Sequence, residues 1–75
     1  MSQRTIDKLQ LSLLEWAFLW AGQYASEIRP AAMERAQVIA ASVIQAPHGV
    51  TPKRWWKAAT RHIRDHIRTL YHTHS

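Results

Sequence analysis

The sequence predicts an all-α fold, a small three-helix bundle, on three observations. Apolar residues recur at three- and four-residue steps, and no strand-period segment interrupts them. Two breaks, Arg29-Pro30 and Pro47 to Pro52, cut the chain into three stretches of helical length. The 75 residues include only two Gly and no low-complexity tract, while 47% are hydrophobic, the balance of a chain that folds. One helical domain is expected over 1–75: a neutral apolar scaffold over 1–46, a turn over 47–51, and a basic contact helix with a frayed tail over 52–75.

The first helix is expected over about 5–28, because Ile6, Leu9, Leu13, Trp16, Trp20 and Tyr24 form one stripe. Leu11, Leu14, Phe18 and Ala25 project onto a second flank, and Gly22 beside them leaves room for another backbone. The apolar surface is thus wider than the roughly 100° that one neighbour needs. A chain this short gains little from a single core, and with no Cys it has no disulfide to add. A homodimer through this helix is therefore expected, with Leu9, Leu13, Trp16, Phe18, Trp20 and Tyr24 as the dimer and core residues.

Pro30 opens a second helix over 30–45, since proline is tolerated at a first helical position. Its apolar residues, Met33, Ala36, Ile39, Ala40, Val43 and Ile44, are mostly small and suit close packing. Pro47-His48-Gly49-Val50 breaks the chain, with Gly49 free to turn left-handed. Thr51-Pro52 then starts the third helix, a hydroxyl cap followed by a proline, and this helix is expected over 52–71 with His72 to Ser75 fraying.

The net charge of +5 is unevenly spread. Residues 1–45 carry Arg4, Lys8, Arg29 and Arg35 against Asp7, Glu15, Glu27 and Glu34, which cancel. Residues 46–75 carry Lys53, Arg54, Lys57, Arg61, Arg64 and Arg68 against Asp65 alone, and also hold all five histidines. On a helical projection Arg54, Lys57, Arg61, Arg64 and Arg68 fall within about 80° and form one ridge. Like charges at these steps repel by a few tenths of a kcal/mol per pair, which a negative partner would offset. The Arg-rich make-up of the ridge suits planar, two-pronged contacts to phosphates or carboxylates.

On the same projection Trp56, Ile63, Ile67 and Leu70 form the core side, with Ala59 and Thr60 at its margins. Trp55 then points away, towards His62 and His66, as a candidate contact anchor.

Several motifs are weighed and set aside. Ala40 to His62 has the order of a helix-turn-helix, but Pro47 and the loop from Ala46 to Thr51 fit poorly with its usual turn of about three or four residues. His62-Ile63-Arg64-Asp65-His66 has the outline of a zinc sequence, but it lacks the glutamate and a third ligand and carries an Arg. No phosphate loop, nucleophile elbow or spaced carboxylate pair is present. Neither a signal peptide nor a spanning helix is expected, because polar residues from Asp7 to Glu15 interrupt the early apolar run.

The reading is a cytoplasmic binding module without catalytic residues, metal, cofactor or small-molecule substrate. Its expected partner is nucleic acid, DNA favoured, held by Arg54, Trp55, Lys57, Arg61, Arg64 and Arg68. The alternative is a small inhibitor or adaptor that docks the basic helix and Trp55 on an acidic protein surface.

Overall fold

Ser2 starts the first helix. Its Oγ accepts the backbone N–H of Thr5 at 3.2 Å and closes an N-terminal cap, so the helix begins two residues earlier than its apolar stripe suggests. The computed structural model describes residues 1–74, the side chain of His74 excepted. Three helices, α1 (Gln3–Tyr24), α2 (Arg29–Ala41) and α3 (Pro52–His74), pack against one another, with short 3-10 turns at Ser26–Ile28 and Ser42–Gln45. No strand occurs among the described residues.

The first helix ends at Tyr24, short of the expected 28, where Ala25 is extended (φ −164°, ψ 133°). A helix running unbroken into Pro30 would set the proline ring against the carbonyl of Ser26. With the break upstream, that carbonyl accepts the Arg29 N–H in a 3-10 turn, and Pro30 sits in the opening turn of α2.

The second helix buries only alanines, Ala32, Ala36 and Ala40, and α1 meets the core through Leu13, Ala17 and Ala21. Such small side chains let backbones approach closely, and a polar contact marks the approach: Gln10 Nε2 donates to the Ala40 carbonyl at 3.1 Å. That carbonyl lies in the last turn of α2, where it also accepts the backbone N–H of Ser42. The end of α2 then tightens into the 3-10 turn at Ser42–Gln45, within the span expected as regular helix to 45.

Pro47 to Val50 make a β-turn, with the Val50 N–H on the Pro47 carbonyl at 3.2 Å and Gly49 at φ 94°. Positive φ at the third position of such a turn is the reason glycine stands there. Thr51 caps α3 as expected, its Oγ1 accepting the Arg54 N–H at 3.2 Å. At the other end α3 continues through His74, past the fraying expected from His72; Ser75 lies outside the described residues. Tyr71 meets Tyr24 edge-on at 5.4 Å, which ties this last stretch of α3 to α1.

Aromatic rings line the seam between α1 and α3. Trp16 stacks on Trp20 at 5.5 Å, Trp20 meets Tyr24 at 6.4 Å, and Trp56 of α3 meets Trp16 edge-on at 6.5 Å. Of the six residues expected at the dimer or core face, Leu13 is fully buried, and Leu9, Trp16, Trp20 and Tyr24 are half-buried. Phe18 is not a core residue of the chain, being 44% exposed. It lies beyond the arc that α2 and α3 cover, and Arg29 shields it instead, its guanidinium 4.0 Å above the ring and its Nε donating to the Phe18 carbonyl at 3.2 Å. The same guanidinium occupies the space left by the missing side chain of Gly22. Within the chain, the opening at Gly22 thus serves an arginine head rather than a second backbone.

Candidate nucleic-acid interface

The third helix touches two neighbours, and this sets which of its faces is left for a partner. Its buried residues, Trp55, Ala59, Thr60, Ile63 and Ile67, span about 140° on the helical projection, more than one facing helix would cover. Arg54, Lys57, Arg61, Arg64 and Arg68 are all exposed and centred on the opposite side. The ridge therefore faces away from both α1 and α2. Lys53 is exposed at the edge nearer α1. Among the described residues no ion pair neutralises the five ridge cations. Asp65 borders the same shallow depression as Arg54, Lys57, Arg61 and His62, and is the one acid on this helix.

Trp55 is not on this surface. It retains 9% of its exposure and belongs to one buried cluster with Ala36, Ala40, Val43 and Ala59. The projection of a single apolar stripe misplaced it: Trp55 lies on the flank turned to α2, whose alanines leave room for a large ring, while Trp56 lies on the flank turned to α1. Both tryptophans pack, on different neighbours, and Trp56 is the more accessible of the two.

Trp56 lines two adjoining clefts between α1 and α3. One, of about 410 Å³, is bounded by Thr5, Lys8, Leu9, Ser12, Pro52 and Trp56. The other, of about 260 Å³, is bounded by Ser12, Glu15, Trp16, Leu19 and Trp56. Sequence reasoning missed this feature; of the aromatic stripe of α1 only Trp16 borders it, beside Thr5, Lys8, Leu9, Ser12, Glu15 and Leu19.

His62 and His66 diverge. His62 is exposed beside the ridge, whereas His66 is half-buried in a groove with Ala31, Glu34, Arg35, Val38 and Leu70. Among the described residues no three His, Asp or Glu side chains gather in a way that could hold a metal ion. Burial, then the positive charges of Arg35 and His62, hold the His66 pKa below its ordinary value of 6.5. Over the interval from 6.5 down to that lowered value the unfolded chain binds more protons than the folded one, so this residue's contribution to stability is present above pH 6.5 and is lost as pH falls. Urea midpoints at pH 7 and pH 5 should therefore differ less for His66→Gln than for the natural chain. An equal difference in both proteins would refute this role.

No helix among the described residues is long and apolar enough to cross a membrane. Comparison of the chain with protein-family models, curated proteins and solved structures finds no match in any of the three.

Proposed function

We propose that this protein is a nucleic-acid-binding module that holds phosphates along Arg54, Lys57, Arg61, Arg64 and Arg68. The observation that carries the reading is the exposure of all five cations on the face of α3 turned away from the rest of the bundle. A row of four arginines and a lysine along one helix face suits the repeating charge of a phosphate backbone, and release of condensed counterions would drive association. Contacts of this kind place a strand without reading its bases, in keeping with a regulatory or accessory role, DNA favoured, in a cytoplasm where a cysteine-free chain is at home. The module binds and does not catalyse.

In this reading two copies associate through the outer face of α1, where Leu11 (70% exposed), Leu19 (56%) and Phe18 remain open, so that the assembly carries two ridges. The adaptor alternative loses its anchor with the burial of Trp55; the exposed rings along the ridge are the imidazoles of His62 and His72.

The test is the salt dependence of binding to a labelled duplex. With four or five phosphates engaged per chain, log affinity should fall against log salt with a slope of about −4. The triple substitution Arg54→Gln, Arg61→Gln, Arg68→Gln should reduce the steepness by about 2.7 and leave helicity intact, since it also removes like-charge repulsion within α3. A slope near zero, or one that the triple variant leaves unchanged, would overturn the reading.

A further inference from the structure

We infer that the cleft between α1 and α3 receives an unpaired nucleobase, stacked against Trp56, from a single strand whose phosphates lie on the neighbouring cations. The inference rests on the ridge reading and makes it more specific: the preferred ligand is single-stranded nucleic acid.

Four observations converge on this site. Trp56 is half-buried and lines both lobes of the cleft, and Trp16 braces it edge-on with 69° between the ring planes. Its ring is therefore held in place yet accessible. The larger lobe, about 410 Å³, lies within the usual range for small-molecule sites, and it combines an apolar floor at Leu9 with hydrogen-bonding groups on Thr5, Ser12 and Lys8. A base needs that mixture, a face to stack on and a polar rim for its edge. Positive charge surrounds the same lobe: Lys8 lines it from α1, and on α3 Lys53 and Lys57 lie about 60° and 100° round the helix from Trp56, on the side that leads into the ridge.

Glu15 borders the smaller lobe and would repel a phosphate there, which directs the strand out past Lys8 and Lys53. Three other surface hollows offer no tryptophan, tyrosine or phenylalanine ring: the depression on the ridge has His62 among its cations, the groove between α2 and α3 has His66 between Arg35 and Glu34, and the hollow at the Pro47–Val50 turn has His48 and no charged side chain. A base within a duplex is already stacked and paired, so the cleft favours a strand with free bases.

The experiment measures anisotropy of end-labelled oligothymidylate and of a duplex of equal length, at one fixed salt concentration, with the full chain. The natural protein should prefer the single strand. Trp56→Leu should weaken single-strand binding about ten-fold, the lower end for loss of one stacked base, while leaving duplex binding and the salt slope unchanged. Trp56→Phe should recover most of the loss. Because Trp56 also packs on Trp16, a second variant, Ser12→Leu, narrows the cleft without removing a ring and should produce the same selective loss with helicity retained. Equal affinity for both ligands that neither Trp56→Leu nor Ser12→Leu alters would overturn the cleft and leave the ridge. Absence of binding to both at low salt would overturn the ridge reading and the cleft with it. A dimer that Trp56→Leu dissociates, without any preference for single strands, would assign the cleft to a second copy of the chain and refute the nucleobase.

Discussion

Trp55→Ala should cost about 3–5 kcal/mol, the range for deleting a buried large aromatic side chain, and should leave little folded protein at ambient temperature. A single core in a chain of 75 residues supplies about that much stability in total. The ring is 9% exposed and belongs to a core cluster of which half the members are alanines, which have no rotamers to shift into the resulting hole. Thermal unfolding followed by circular dichroism provides the measurement. A loss of less than about 0.5 kcal/mol, the usual effect of a change at a free surface position, would return Trp55 to the exterior.

Leu13→Ala should be nearly as severe, at about 2–5 kcal/mol. Leu13 has no exposure and sits at the middle of α1, whose flanking core residues, Ala17 and Ala21, cannot expand into a void. Its near neighbour gives an internal control. Leu11 is 70% exposed, and Leu11→Ala should change the unfolding free energy from urea titration by less than about 0.5 kcal/mol in dilute solution. The proposed dimer makes that second value depend on concentration, because association linked to folding stabilises more at higher protein concentration. If Leu13→Ala were tolerated as well as Leu11→Ala, the assignment of the core face of α1 would be wrong.

Element type and the third boundary were legible in the sequence because they depend on local chemistry. Thr51-Pro52 could be read as a helix start from the cap and the missing N–H, and the cap forms as expected. Ala25 had no such signal: its extended backbone answers a proline five residues later, and the sequence shows the proline without showing how far upstream the chain yields. The ridge was legible as a set of residues sharing one face. Its direction was not, because a helical projection does not say how many neighbours the helix has. Two neighbours widened the buried arc of α3 and drew Trp55 inward. The α1–α3 cleft was illegible for the same reason, since it is made by two helices jointly. Phe18 belongs with these, as its cover, Arg29, comes from beyond the intervening turn.

The aromatic seam also makes the bundle a spectroscopic instrument. Every Trp, Tyr and Phe of the chain lies on α1 or α3, and α2 has none. Trp16 of α1 and Trp56 of α3, with ring centroids 6.5 Å apart, are close enough for their transitions to couple, so the near-ultraviolet signal reports whether α1 and α3 are docked. Trp55, the one buried tryptophan, belongs to the core cluster that the alanines of α2 help to form. A state in which α2 had swung away would therefore lose far-ultraviolet helicity and change emission from one indole, while the coupled signal of the seam persisted. The order in which the helices separate can thus be followed without attaching a label.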